Sequence, residues 1–465
     1  MSSGQTPSLS SPTNTSEVEG TRSPLSTQSP FPTIQSETLF LELIARLPGG
    51  EAANQPSYLA RMSDDGKQFV FLSTASNLLL EQSGQDPRLT IFFRSTTTND
   101  TYPLSEDRFT SISNPTLSAD GRTAAFLGYQ PGTCADQQPQ RSCGAIYIYN
   151  LPSASYPEEL LVGSIYPEGP DIALSHNGQF LAFAEPWGEI LEGVFLYDRQ
   201  TGDVTEIIRS DTTDGAASEL GPVGISANGD VVAFAAARND IVPDDTNNAN
   251  DVFVYSSEDE TIERISLRAD GSEPNQPSGR HVWGGGIPGE ISISDNGRFV
   301  TYLSRASGLT EIPISECTTY SGEVLPACAH IYVYDRQSKQ TEMISVSNTG
   351  VPGNRESVEA FISGDGRWVA FTSLADNLTD DSPECQGFCP RVFLRDRQER
   401  RTYLASRGIE CEPVTANVSD LNLDGSVLVL ESPDLLLETS QNEGVASYIV
   451  NIPEMFAQCF AGFEQ

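Results

Sequence analysis

The chain has 465 residues and carries 27 basic against 64 acidic side chains, a net charge of −37. Such a surface repels phosphate backbones and anionic lipid headgroups, which excludes nucleic-acid and membrane-surface binding and favours cations and basic partners. No run of about 18 apolar residues occurs, so no helical membrane insertion is expected.

Residues 1–36 are rich in Ser, Thr and Pro, as in Ser8-Leu9-Ser10-Ser11-Pro12, and read as a disordered tail. They lack the apolar core of a secretory leader. Next comes Leu41-Glu42-Leu43-Ile44-Ala45-Arg46-Leu47, then Pro48-Gly49-Gly50 and, further on, Asn54-Gln55-Pro56-Ser57. The same order returns at Ile262 to Gly271 and Asn275-Gln276-Pro277-Ser278, where it ends a strand unit. Leu41–Leu47 therefore reads as a final strand with no unit before it.

From residue 63 one unit recurs. It opens on a Ser-x-Asp/Asn-Gly turn: Ser63-Asp64-Asp65-Gly66, Ser118-Ala119-Asp120-Gly121, Ser175-His176-Asn177-Gly178, Ser226-Ala227-Asn228-Gly229, Ser294-Asp295-Asn296-Gly297 and Ser363-Gly364-Asp365-Gly366. Asn422-Leu423-Asp424-Gly425 is a weaker seventh copy. Asp-Gly and Asn-Gly are strong hairpin signals, because the turn needs positive φ angles. An apolar strand follows each turn, such as Phe69-Val70-Phe71, Val232-Ala233-Phe234 or Val369-Ala370-Phe371. After a polar loop comes a second apolar strand, such as Ile146-Tyr147-Ile148-Tyr149 or Val252-Phe253-Val254-Tyr255. Several copies then carry an Asp-Arg turn, as in Asp198-Arg199 and Asp335-Arg336, and a further strand such as Thr341 to Val346. The turn glycines lie 51 to 69 residues apart by subtraction of their positions. No long stretch has helical periodicity, so each unit is four short antiparallel strands. Four-stranded units repeated radially make an all-β, seven-bladed β-propeller.

The strings Ser226 to Phe234, Asp244 to Tyr255 and Ser363 to Ser373 resemble the TolB-like, WD40-like (PD40) propeller repeat. The resemblance covers roughly residues 38–452; it is specific for fold and weak for function. The seventh copy departs from the pattern, lacking the Asp-Arg turn and its own fourth strand. Leu41–Leu47 should supply that strand beside Tyr448–Val450 and close the ring. The expected organisation is a tail at 1–36, one propeller at 37–452 and a C-terminal tail at 453–465.

Eight cysteines fit disulfides better than zinc, because no C-x-x-C pair occurs and only three histidines are present. Local pairing gives Cys134 with Cys143, Cys317 with Cys328 and Cys385 with Cys389, leaving Cys411 for Cys459. Disulfides imply a secreted, periplasmic or cell-surface protein. They outweigh the missing leader.

Catalytic signatures are absent: there is no G-x-S-x-G elbow. His176 reads as a surface turn residue, His281 lies in a glycine-flanked loop, and His330 precedes a strand. Some TolB-like relatives are oligogalacturonate lyases that use a metal and several histidines, and this chain offers too few at matching places. Asp245, Asn247 and Asp251 alternate with short residues as in oxygen-rich calcium loops, so calcium is the one cofactor with a candidate place. Arg391, Arg395, Arg397, Arg400 and Arg401 read as a solvated outer-strand face, with anion recognition as the functional version. The expected function is a non-catalytic, monomeric binding scaffold of the cell envelope or exterior, taking a protein or small polar ligand at a propeller face. The alternative is an extracellular carbohydrate-active lyase or hydrolase with its site at the channel mouth.

Overall fold

The computed structural model describes residues 40–79, 88–105, 109–131, 142–152, 157–164, 171–185, 193–209, 220–274, 276–279, 291–318, 324–384, 387–434, 436 and 444–460. It is a seven-bladed propeller of four-stranded antiparallel sheets. The inner strands, one per blade, are Ser57–Met62, Ser111–Leu117, Asp171–Leu174, Leu220–Ile225, Ser292–Ile293, Ser357–Ile362 and Asn417–Leu421. Each leads through a Ser-x-Asp/Asn-Gly turn, or its Asn422 variant, into the second strand of its blade.

The turn chemistry explains its recurrence. The Ser63 hydroxyl donates to the Asp65 carboxylate at 2.7 Å and accepts the Gln68 amide at 3.0 Å. The Asp65 carboxylate in turn accepts the Lys67 amide at 3.1 Å. The glycine has a second duty besides its positive φ. A Cβ on Gly366 would lie 2.2 Å from the Phe299 ring of the preceding blade. A Cβ on Gly66 would lie 2.8 Å from Val427 of blade seven. Each turn therefore sits directly on the neighbouring blade, and the last blade sits under the first. The Asp-Arg turns add a strut: Arg199 and Arg336 donate to the carbonyls of Gly178 and Gly297 at 2.7 and 2.9 Å.

Second and third strands are covered on both faces by adjacent blades, so they read as apolar runs rather than alternating ones. Val231–Ala236 is buried throughout. In each of the first six blades an aromatic of the second strand stacks on one of the third, as with Phe234 and Phe253 at 5.6 Å and Phe371 and Phe393 at 5.8 Å. In blade seven, Leu430 faces Tyr448 instead.

Ring closure uses the chain's N-terminal strand. Leu41 pairs with Val450 and Leu43 with Tyr448, making the N-terminal strand the outermost of blade seven. The strand ends at Leu43 rather than Leu47, because Arg46 already bridges Ala52 across the Pro48-Gly49-Gly50 turn. The fourth strand of blade five likewise stops at Met343, with Val346 bridging Pro352. After the last strand the tail forms a helix, Ile452–Cys459, with Asn451 accepting the Glu454 amide at 3.1 Å as its cap. Disulfides join Cys317 to Cys328 and Cys411 to Cys459. Cys389 is also disulfide-bonded, but Cys385, Cys134 and the Cys143 side chain lie outside the described residues, as does the 1–36 tail.

This connectivity gives the ring two unlike ends. Turns between first and second strands and between third and fourth strands share one end. Long loops between second and third strands, and connections from one blade to the next, share the other.

Candidate functional site

At the turn end the seven turns are joined into a closed circle of hydrogen bonds. Asp64 N donates to Ala119 O at 2.8 Å, Asp120 N to His176 O at 3.0 Å, and His176 N to Ala227 O at 2.9 Å. Ala227 N continues to Asp295 O at 3.0 Å, Asp295 N to Gly364 O at 2.9 Å, and Gly364 N to Leu423 O at 2.8 Å. The Asn422 side chain closes the circle on Asp64 O at 3.0 Å. The second residue of each turn is thereby brought to the channel mouth: Asp64, Ala119, His176, Ala227, Asp295, Gly364 and Leu423.

Three of these are titratable, and they converge. His176 Nδ1 lies 3.2 Å from Asp64 Oδ2. Blades one and three are not neighbours, so this contact crosses the mouth above Ala119. Burial pushes the Asp64 carboxyl up to about 6, against the pull of His176, with Asp295, Asp65 and Asp120 adding to the rise. Burial also raises Asp295, again opposed by His176 and reinforced by Asp365. A carboxylate beside an imidazole is an arrangement suited to proton transfer or to holding a positive charge. His176 is thus in a turn with its side chain partly exposed, as expected, and the turn belongs to the circle at the channel mouth.

Further along the channel, Arg61 of blade one donates to Ser419 O of blade seven at 2.6 Å and lies 5.2 Å over the Phe361 ring of blade six. Leu59, Asn114 and Glu359 have φ values of 52°, 50° and 31° and stand four residues before their turn serines. The inner-strand register shifts at each of these places. Such bulges re-aim side chains and are common beside functional sites.

The calcium-loop residues also come together, but around an arginine. Arg264 Nη1 lies 3.0 Å from Asp245, 3.5 Å from Asp251 and 3.1 Å from Glu273. Asn247 donates to Asp251 at 2.9 Å. Burial pushes Asp245 up to about 6, with Asp251 adding to the rise and Arg264 opposing it. An ion at this place would have to share it with the guanidinium. Missing from the sequence reading was Arg264, whose partners stand up to 19 residues away along the chain, by subtraction from Asp245.

The arginine stretch is solvated only at its far end, where Arg400 and Arg401 are exposed. Arg391 and Arg395 are buried, donating to Ser382 Oγ at 3.1 Å and Thr402 Oγ1 at 2.9 Å. Arg397 pairs with Glu342 at 3.0 Å, and Arg401 lies 5.3 Å over the Tyr403 ring. The third strand of blade six is covered by its neighbours, so its two buried arginines turn to hydroxyls of the preceding loop and of the fourth strand. His330 is buried against Ser345 at 3.1 Å, and burial lowers it to about 4, so it stays neutral. His281 lies outside the described residues.

No family model and no curated protein matches the chain. Solved structures do. An oligogalacturonate lyase from Vibrio parahaemolyticus superposes with a TM-score of 0.50 at 12% identity, over 90% of this chain and 98% of that one. An oligogalacturonate lyase in complex with manganese gives 0.49 at 12% identity, over 89% and 97%. TolB from Acinetobacter baumannii gives 0.38 at 12% identity, over 84% and 78%. At such identities the likeness is one of fold alone.

Proposed function

We propose that this chain is a non-catalytic, TolB-like binding scaffold of the cell envelope or exterior, which takes a protein partner at its loop end. The observation that carries this reading is where apolar side chains are left exposed. Among the described residues, six large hydrophobics are exposed: Leu59, Val204, Val324, Val351, Phe388 and Ile409. Val324, Val351, Phe388 and Ile409 belong to the loop-end connections of blades five, six and seven. Exposed apolar groups gathered at one end of so acidic a protein support an interaction surface. Val324 lies within the loop closed by the Cys317–Cys328 disulfide, so it is presented by a braced loop. The disulfides also support an oxidising compartment.

A carbohydrate-active lyase or hydrolase is the second reading, and the Asp64–His176 contact at the channel mouth favours it. One experiment separates the two. Immobilised wild type and the double variant Val324→Ser, Phe388→Ser are exposed to native envelope extract, and polyuronates and neutral glycans are incubated with the soluble protein. A defined partner retained by wild type and lost by the variant, without glycan cleavage, supports the scaffold. Glycan cleavage that His176→Ala abolishes, with no such partner, replaces it with the enzyme.

A further inference from the structure

The turn circle contains two sets of polar side chains with different employment. Third-position residues serve their own turns. Asp65, Asp120, Asn177, Asn228, Asn296, Asp365 and Asp424 each accept the amide two residues on, at 2.8 to 3.3 Å. Second-position Asp64 and Asp295 do nothing of the kind. Asp64 Oδ2 is buried and accepts no hydrogen bond, although it lies beside His176. Among the described residues the Asp295 carboxylate accepts none either.

Four arginines at this end already have carboxylate partners. Arg298 is held by Asp335 with both contacts at 2.8 Å, and Arg367 by Asp396 at 2.6 Å. Arg199 and Arg397 are held by Glu158 and Glu342, each at 3.0 Å. Among the described residues, the second turn positions give the mouth two carboxylates, one imidazole and an apolar wall. That wall is Leu423, which lies across Gly364 beside Asp295: a Cβ on Gly364 would fall 1.6 Å from Leu423 Cδ1 and 2.8 Å from the Asp295 carboxylate. A side chain at position 364 would fill this place.

We infer that the turn-end mouth is a recognition site for one organic cation, an ammonium or guanidinium group on an aliphatic stem. The carboxylates meet the charge, His176 accepts or shares a hydrogen bond, and Leu423 covers the stem. A bare metal ion fits less well. Among the described residues only Cys317, Cys328 and Glu356 bring three donor atoms within 4.8 Å of one another, and those two sulfurs are bonded together. The axial donors are spread more widely, as a polyatomic cation requires. Burial resists the Asp64 charge, and the pull of His176 offsets that only in part. A cation bound there draws Asp64 toward ionisation and so releases protons near pH 6. The charged groups around it are His176, Asp295, Asp65 and Asp120, with Asp365 behind Asp295.

The test is calorimetric titration of the full chain with putrescine, with Nα-acetyl-arginine amide and with calcium chloride, at physiological salt. Binding is expected for one or both organic cations at a single site. Asp64→Asn and Asp295→Asn should each weaken it at least tenfold, while the exposed-turn variant Glu258→Gln leaves it unchanged. At pH 6 the heat should depend on the ionisation enthalpy of the buffer, which records the released protons. Binding of the arginine derivative alone points to a basic peptide, and binding of both to free amines as well. The inference is overturned if neither binds at millimolar concentration, if only calcium binds, or if the two axial variants bind as wild type does. Folding of each variant is checked by its thermal transition, so a lost site is told apart from a lost fold.

Discussion

Asp64 and Asp65 are adjacent carboxylates with opposite circumstances. Asp65 is tied into its turn by Ser63 and the Lys67 amide. Asp64 faces the axis, where burial pushes it up to about 6 from 3.8. A raised carboxyl is one whose charge the fold resists, so its burden is absent below about pH 4, grows as pH rises and is complete above about pH 6. Asp64→Asn should therefore stabilise the protein at pH 7.5 by about 1–2 kcal/mol, after allowance for solvent screening. The gain should shrink as pH falls through 6 and vanish near pH 4. Thermal melts at three pH values check this; a loss of stability at every pH would show that Asp64 supports the turn instead. Arg264 presents the reverse case, one guanidinium among Asp245, Asp251 and Glu273. Arg264→Ala should cost about 3–5 kcal/mol, because buried carboxylates lose their only partner charge. Saturating calcium should restore part of that loss in the variant and leave wild type unchanged. An equal calcium upshift in wild type would place an ion beside the arginine in the native protein. The oxygen-rich spacing of Asp245, Asn247 and Asp251 was readable from the chain. The arginine at their centre was not, since it comes from the fourth strand of the blade.

Strands were the most legible elements, because covering both faces of a sheet demands uninterrupted apolar triplets such as Val369-Ala370-Phe371. Turn glycines were equally legible, since both φ and the blade beneath forbid a side chain. Inner-strand bulges at Leu59, Asn114 and Glu359 left no such trace. They depend on crowding at the axis, and non-glycine residues occupy them. The convergence of Asp64, His176 and Asp295 was hidden for a related reason. It arises only when blades one, three and five are brought round a circle, and local pattern carries no record of that. A signal did exist: in a repeat whose first, third and fourth positions hardly vary, the second position is free to carry function. The closing strand was legible through its likeness to Ile262–Gly271, and it makes the clearest prediction at this scale. A chain lacking residues 1–47 exposes the Ala446–Asn451 edge, which normally pairs with Leu41–Leu43. Unpaired edges recruit other strands. Size-exclusion chromatography should show oligomers or aggregate, and a peptide of residues 38–48 added in trans should return the monomer. A truncated chain that stays monomeric with an unchanged melting temperature would mean the ring holds without this strand.

At the scale of the whole molecule, a ring of blades is stable only while it is closed, and this one is fastened from both chain ends. The N-terminal strand completes blade seven, and the turn circle joins blade seven to blade one through Asn422 and Asp64. The C-terminal helix provides a second fastening. It begins at the turn end, where the Ile452 amide donates to Ser426 O at 2.8 Å. It buries Met455 and Phe456, with Phe456 and Phe460 edge-on to Tyr403 of blade six at 4.6 and 5.8 Å. Its last residue, Cys459, is bonded to Cys411 in the connection that leads into blade seven at the loop end. The helix therefore straps blade six to blade seven across the height of the ring. Loop-closure entropy ranks the two described disulfides. Cys411–Cys459 spans 48 residues and corresponds to roughly 4 kcal/mol, while Cys317–Cys328 spans 11 and corresponds to roughly 3 kcal/mol. That gap alone is small. Releasing the strap also frees the helix to leave its aromatic seat, whereas opening the buried Cys317–Cys328 bridge frees the one loop that carries Val324. Cys459→Ser should thus lower the melting temperature more than Cys317→Ser, and limited proteolysis should then cut near the helix before any blade. Adding Phe456→Ala to Cys459→Ser should deepen the loss, while the same change in a chain with the disulfide intact should matter less. Equal melting temperatures for the two cysteine variants, with the helix still protected from protease, would show that the aromatic packing holds the strap without the bond.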